Sequence, residues 1–582
     1  MCGIAGLLGP NMPSGAMRAM LDRLRHRGPD GEGEYHSPGG PAALGHTRLK
    51  VIDLSPAGQQ PMADPTGRFW IVYNGEVYNY LELKNALSDW PFRSQTDTEV
   101  VLAAFVRWGA ACLERLIGMF AFCVWDEKRQ ELFAARDRFG VKPFFYHVTP
   151  SGGLLFASEI KALHAAGVPR EPEQRTWAAY LARGLYDHDE RTFWRGVYRL
   201  QPGSLLRYSV RDGTRVERWY DLRAAFERVG EDDRCESLVE EELLGLLEES
   251  VRLRFRSDVP VGLCLSGGLD SSLVLALVRK SQGEECSLKT FTFTTGDPAY
   301  DETPWVRAML RHTRHVGCFC PLSPSEVPAL MAEVQAFQDE PFGGIPTLGM
   351  ARVHARARDE GVTVLLDGNG MDEAWCGYDY YTRPEGVDIG TGPVQGAVSR
   401  STPRWLAPEF AELASQVPGE WSSGDRLRSI QLHDLCVAKI PRAMRFADRV
   451  SMQFSRELRE PFLDHRLVEL GLRQRRSRKV RDGVGKWLPR TLARALLPGP
   501  VREAPKRALQ TPQREWLRGP LRAWACDQIE GAIQGWGASW LDASSVRSTW
   551  TDFLRHGADS SFTVWQWINL GLLSSGSRGL DG

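Results

Sequence analysis

Along the first two hundred residues the apolar positions come in short runs broken by turn formers. FWIVYNGEVYN (69–79) is β-rich, and the Asn74-Gly75 pair inside it reads as a turn. MFAFCVWDEKRQELFAARD (119–137) reads as a strand, a turn over Asp126-Glu127 and a second strand, and LLFASE (154–159) and SLLRYS (204–209) read as further strands. This pattern predicts an antiparallel, sheet-rich domain over 1–210. The charged, turn-like stretch 211–235 suits a linker. From Leu238 to Phe255 the period becomes helical. VPVGLCL (259–265) then reads as a buried strand, followed by SGGLDSS (266–272) and the helix-like LVLALVRK (273–280). LKTFTFT (288–294) and VTVLLDG (362–368) read as further buried strands between helical stretches, so 236–582 is expected to be an α/β domain on a parallel sheet. Residues 384–425, rich in Gly, Pro and Ser, read as a long mobile loop.

A chain of 582 residues is too long for one ordinary core, which agrees with this division. Apolar residues at 42% and charged residues at 25% are globular values and exclude disordered, collagen-like and coiled-coil chains. With 72 Lys+Arg against 73 Asp+Glu the net charge is −1, which argues against a nucleic-acid partner. No run approaches the roughly 18 apolar residues of a membrane helix. The start, MCGIAGLLGP, has no basic region before Arg18, so no secretory signal is expected. The eleven cysteines show no disulfide-like or zinc spacing and read as reduced thiols of a cytoplasmic protein.

Two constellations carry chemistry. In the first, removal of Met1 before the small residue Cys2 would give the chain an N-terminal cysteine. Its α-amine, with an ordinary pKa of about 7.7–8.0, can take the proton of its own thiol. A thiol attacking a carboxamide also needs an oxyanion hole and a clamp for the charged end of the substrate. The Asn74 amide and the Gly75 N–H suit the hole. Arg48 suits a carboxylate, and Glu76 and Asp97 suit an ammonium. Together they describe a pocket for glutamine. Singly each feature is commonplace, but MCGIAG, RHRGPDG (25–31), GHTRL (45–49), NGEVYN (74–79) and TDTEV (96–100) occur in one order. In this the chain resembles class II (Ntn-type) glutamine amidotransferase domains over about 200 residues. The resemblance implies an α+β sandwich of antiparallel sheets between helices, with Cys2 as nucleophile and Asn74 and Gly75 as oxyanion hole. It also implies glutamine held against Arg48, Leu49, Lys50, Val51, Ile52, Asn74, Gly75, Glu76 and Asp97.

The second constellation is SGGLDSS between a strand and a helix. Ser266, Gly267 and Gly268 let backbone N–H groups approach a phosphate. Ser271 and Ser272 add hydroxyls at the helix start, and Asp270 is a natural Mg²⁺ ligand. The loop resembles that of ATP pyrophosphatases, which release AMP and PPi. DGNGMDEAWCGY (367–378), ADRVSMQFSRELREPFLDHRLVEL (447–470) and GVGKWLPR (483–490) follow in the order seen in glutamine-hydrolysing asparagine synthetases. That resemblance implies adenine and ribose against Cys264, Phe293, Asp367 and Gly368, Mg²⁺ on Asp270 and Asp372, and a catalytic Lys486 beside the phosphates.

The chain departs from that family where the acceptor binds. Asp367-Gly368-Asn369-Gly370-Met371-Asp372-Glu373 stands for S-G-E-G-[SAG]-D-E, so Asn369 replaces a glutamate and marks acceptor specificity; Asp367 replaces a serine. KRALQTP (506–512) stands for R-x-K-x-G-F-x-x-P. The implied function is an ATP- and glutamine-dependent amide ligase. Its default acceptor is aspartate, giving asparagine; the alternative is a sugar uronic acid, a natural-product acid or a peptide carboxylate. A cyclase without glutaminase use is disfavoured by Cys2, and a non-catalytic scaffold by intact Cys2, Asp270, Asp372 and Lys486. The expected partners are glutamine, ATP and the acceptor, with no nucleic acid and no membrane. A homodimer is left open.

Overall fold

The alternation along the N-terminal half closes into two six-stranded antiparallel sheets. The computed structural model describes residues 1–10, 12–283, 286, 288–383, 402–415, 425–504, 511–556 and 561–576. The first sheet runs in the order Tyr198–Arg199, Phe145–Val148, Leu154–Ala157, Gly3–Leu8, Ala42–Arg48, Gly31–His36. The second runs Gly213–Arg218, Ser204–Ser209, Glu131–Arg136, Gly118–Asp126, Phe69–Val77, Met62–Ala63. Ile4 and Leu8 share a core with Val72, Cys123 and Trp125 of the facing sheet. Ala5 and Leu7, on the other face of the same strand, pack against the helices Ala16–Leu24 and Ile160–Ala165. Ile71, Phe120 and Phe122 are covered by the helices Tyr80–Ala86 and Asp97–Trp108. The domain is therefore the expected sandwich of helix, sheet, sheet and helix. With both faces covered, all of Gly3–Leu8 is buried.

Asn74-Gly75 is not a turn. Both residues lie inside the strand Phe69–Val77, opposite Ala121 and Phe120. A Cβ on Gly75 would sit 2.3 Å from the Met119 carbonyl and 2.6 Å from the Phe120 Cα, so the neighbouring strand, and not a hairpin, dictates glycine there. The stretch 211–235 holds the strand Gly213–Arg218, which edges the second sheet, and the helix Leu222–Val229, capped by Asp221. Most of 384–425 and most of KRALQTP lie outside the described residues; the described part of the former carries the helix Pro408–Ser415.

The C-terminal half forms a five-stranded, wholly parallel sheet. Its order is Val316–Pro321, Lys289–Thr294, Val261–Cys264, Val364–Leu366, Glu457–Arg459. The chain starts in the middle strand, builds outward to one side, then returns to build the other. The carboxyl ends of Val261–Cys264 and Val364–Leu366 thus flank the crevice where such sheets bind ligands. The loops 265–268 and 367–370 both leave from there. Among the described residues no helix is long and apolar enough to cross a membrane, and the eleven cysteines are unpaired.

The halves share two apolar cores. Leu49, Ile52, Tyr78 and Val141 join Leu263, Leu366 and Phe462. Trp177 and Tyr180, on the helix Gln174–Arg183, pack with Phe342 and Trp565. Buried ion pairs cross the same seam. Arg27, fully buried, donates to Asp448 at 2.9 and 3.1 Å and to Glu159 at 2.7 Å. Burial alone would raise the Asp448 carboxyl, but the Arg27 guanidinium overrides it and holds it below the usual carboxylate range. This stabilisation is present above the ordinary aspartate pKa of about 4 and is lost as pH falls through the lowered value. Removing the cation leaves the buried Asp448 carboxylate without its ion pair, although Glu159 keeps Arg449 at 3.1 Å, so Arg27→Ala should cost about 3–5 kcal/mol. Thermal unfolding at neutral pH tests this; an unchanged midpoint would show that the seam does not depend on the pair.

Candidate functional site

Cys2 precedes the strand Gly3–Leu8 and is buried at the seam between the halves. Its backbone N donates to the Asn74 Oδ1 at 3.0 Å, its carbonyl accepts from the Arg27 Nε at 3.0 Å, and its Sγ lies 3.9 Å from the Leu49 carbonyl. With Oδ1 of Asn74 so engaged, its Nδ2 is buried and has no hydrogen-bond partner among the described residues. This is a donor kept for a group yet to arrive. Burial pushes the Cys2 thiol up, against the pull of the amino terminus, the Leu49 backbone and Arg48. Met1 is itself buried, and its ammonium pairs with Glu457 Oε2 of the C-terminal half at 2.9 Å.

The residues expected around glutamine do gather here, with different duties. Leu49, Val51 and Ile52 are buried at the seam, and Lys50 N donates to Asp30 Oδ2 at 2.9 Å. Arg48 is buried, and its Nη1 and Nη2 are donated to the carbonyls of Ser55 and Asp53, so it clasps the loop that follows it. Asp97, first residue of the helix Asp97–Trp108, accepts from Val77 N at 2.9 Å and from the Tyr73 hydroxyl at 2.7 Å. Glu76 has one oxygen 3.5 Å from Arg459 and the other without a hydrogen-bond partner among the described residues. Burial, then Glu457 and Asp97, push its carboxyl well above the usual range.

The second cluster lies at the crevice of the parallel sheet, in a cavity of about 410 Å³. Gly267 adopts φ +83°, and a Cβ there would also meet Val306 at 3.0 Å, so only glycine fits the loop. Gly268 is the N-cap of the helix Leu269–Gln282 and no side chain caps that end, which leaves backbone N–H groups toward the cavity. The Ser271 Oγ lies 3.1 Å from that of Ser266, and the buried Ser272 Oγ has no partner among the described residues. Cys264, Phe293, Asp367 and Gly368 line the same cavity. Burial, and then Asp270, push the Asp367 carboxyl up to about 6.

Lys486 sits between Asp270, at 2.5 and 2.7 Å, and Asp372, at 2.6 Å. It is buried, at φ +56°, a backbone region that costs energy for any residue but glycine. Burial would lower its ammonium, but the two carboxylates raise it. The resemblance groups these three residues around the phosphates; the fold puts Lys486 in direct contact with both carboxylates.

Several residues escaped that reading: Arg27, Glu457, Arg459 and Glu460. The available signal was the alternation of charge inside the short strand Glu457–Arg459, where all three residues are buried. Burial would raise the Glu457 carboxyl, but the amino terminus and Arg459 bring it down to about 2.

Residues 1–220 match the family of glutamine amidotransferase domains, and residues 242–574 match the asparagine synthase family. The chain is 31% identical over 601 residues to a putative asparagine synthetase [glutamine-hydrolyzing] of Mycobacterium tuberculosis, covering 92% of this chain and 89% of that protein. It is 27% identical to asparagine synthetase [glutamine-hydrolyzing] 1 of Bacillus subtilis, covering 94% and 92%. It is 34% identical over 382 residues to the amidase chry2 of Gibberella zeae, covering 63% of this chain and 55% of that protein.

Proposed function

Since the chain belongs to the asparagine synthase family and is an enzyme of the glutamine-hydrolysing type, we propose that it makes ammonia from glutamine at Cys2 and uses it to amidate an ATP-activated carboxylic acid at the crevice. Two juxtapositions in one chain carry this reading: Asn74, with its unpartnered Nδ2 beside Cys2, and Lys486 between Asp270 and Asp372.

In the first half-reaction the Cys2 thiolate attacks the glutamine carboxamide. Asn74 Nδ2 and the Gly75 N–H receive the charge on its oxygen. Ammonia leaves, and water releases glutamate from the thioester. Glu76 and Asp97 suit the substrate ammonium, whose arrival would bring Glu76 back toward its ionised form. In the second half-reaction the acceptor carboxylate attacks the α-phosphorus of ATP and PPi departs. Ammonia then forms the C–N bond while AMP leaves with the electron pair of the C–O bond. The uncapped helix start and the Ser266–Ser272 loop suit the phosphates. Mg²⁺ fits the hard oxygen donors Asp270 and Asp372, since it ordinarily takes one or two carboxylates plus phosphate oxygens; it would neutralise charge on the PPi leaving group. Lys486 would pass from its two carboxylates to the phosphates as they bind.

The test is glutamate release from glutamine together with AMP and PPi from ATP. ADP with phosphate, or no glutamate, would sink the proposal. Asn74→Ala should slow glutamine turnover by roughly 10²–10³-fold, the usual loss for one oxyanion donor, with little change in KM. Since Arg48 holds the loop beside the site, Arg48→Ala should chiefly raise KM for glutamine; the opposite pattern would exchange the two roles.

Aspartate is the default acceptor of the family. One observation favours another acid: Asn369 offers an amide, not a carboxylate, to the cavity.

A further inference from the structure

The parallel register places two carboxyl groups side by side behind Asn369. Leu366 and Arg459 are paired, Asp367 N donates to the Arg459 carbonyl at 2.9 Å, and Asp367 and Glu460 therefore leave neighbouring strands together. The Asn369 Nδ2 donates to Asp367 Oδ2 at 3.3 Å and to Glu460 Oε1 at 3.4 Å. The two ends of an amide are alike in shape, so its hydrogen-bond neighbours choose the orientation. Two carboxyls around one end select the NH₂ there and turn the carbonyl away from them. Glu460 is only 3% exposed, and its Oε2 has no hydrogen-bond partner among the described residues. Burying such a group is expensive unless it serves something. Burial and then Asp367 push its carboxyl well above the usual range. A neutral carboxyl still accepts through its carbonyl oxygen, so the orienting contact does not need the charge.

Four carboxyls that line the cavity are engaged. Asp270 and Asp372 hold Lys486, Asp367 accepts from Gly368 N at 2.6 Å, and Glu373 accepts from the Tyr378 hydroxyl at 2.8 Å. We propose that Glu460 is a positioning residue that presents the Asn369 carbonyl to the cavity, where it accepts a hydrogen bond from a neutral hydroxyl or amide N–H next to the acceptor's carboxylate. The inference rests on the amide-ligase reading above and narrows its acceptor to hydroxy acids, sugar acids or N-acylated acids. An α-ammonium in the same place would meet an amide dipole where a carboxylate could have paired with it, the nearby carboxyls of Asp367 and Glu373 being already engaged, which costs more than a hydroxyl.

The experiment uses the full-length enzyme with ATP, Mg²⁺ and glutamine, and measures PPi release with L-malate, N-acetyl-L-aspartate and D-galacturonate against L-aspartate. The expected result is a kcat/KM for at least one neutral-donor acid about tenfold or more above that of aspartate, the worth of one well-made buried hydrogen bond. Glu460→Leu should raise KM for that acid about tenfold while KM for ATP stays within about twofold, and Glu460→Gln, which keeps an oxygen for Nδ2, should behave as wild type. Glu460→Met, of similar volume, replaces the leucine variant should that fail to fold. Aspartate outrunning all three acids, or no release with any of them, overturns the inference. So does equal damage to acceptor and ATP constants, or a glutamine variant no better than the leucine one. Formation of ADP, or no glutamate from glutamine, strikes the amide-ligase reading itself and the inference with it.

Discussion

Cys2→Ala should abolish glutamine hydrolysis and glutamine-dependent amide synthesis, a loss of about 10⁴-fold or more, as expected when a covalent nucleophile is removed. No neighbour can stand in. The cysteines of the adjoining sheets, such as Cys123, are sealed in apolar cores, where burial raises their thiols well above the usual range. Synthesis from concentrated ammonium should continue, because the cavity proposed for ATP is built from a separate sheet and owes none of its lining to Cys2. The measurement is glutamate release and amide formation with each nitrogen source. Full activity of the variant with glutamine would refute the N-terminal nucleophile. Loss with both sources would mean that the substitution had disturbed the seam, which melting temperature would reveal.

The mirror-image result is expected from Asp372→Asn. Acceptor-dependent PPi release should fall by about 10³-fold or more, while glutamate release persists without a product amide to match it. The carboxylate has two duties. It balances the buried Lys486 in the resting enzyme, and it would hold Mg²⁺ once ATP enters. Asparagine keeps the shape and the hydrogen-bonding oxygen but neither duty's charge. Asp270→Asn should act alike, since that residue contacts the same ammonium at 2.5 Å. PPi release at an undiminished rate from either variant would remove both residues from the phosphate site.

How far the sequence could be read depended on whether each signal was local. The strand–loop–helix run from Val261 to Gln282 was legible because apolar period, glycines and a helix start all lie within some twenty positions. Asn74-Gly75 misled for the same reason: the pair ordinarily makes a hairpin, and only the approach of Met119 and Phe120 from another strand reveals why glycine stands there. Cys2, Asn74, Asp270, Asp372 and Lys486 could be named from motifs. Glu460 could not, because its meaning comes from a strand register linking Leu366 to Arg459. Arg27 lay in a noticed motif without a role, since its partner Asp448 is 421 residues away. Such buried charges are placed by tertiary pairing, for which sequence spacing carries no trace.

The pairing of the Met1 ammonium with Glu457 bears on how the enzyme is made. An aminopeptidase can act only on a chain end it can reach, and here that end is enclosed by a strand synthesised 456 residues later. At roughly 5–20 residues per second the ribosome needs roughly 20–90 s to deliver that strand. Trimming must precede closure of the seam, which cannot come before that strand has been made. A chain that escapes trimming then closes over its own methionine and stays without the amine proposed to activate Cys2. Under the proposed mechanism, scarce aminopeptidase would therefore leave a fraction of folded enzyme that uses ammonium but not glutamine, set by a race between trimming and closure of the seam.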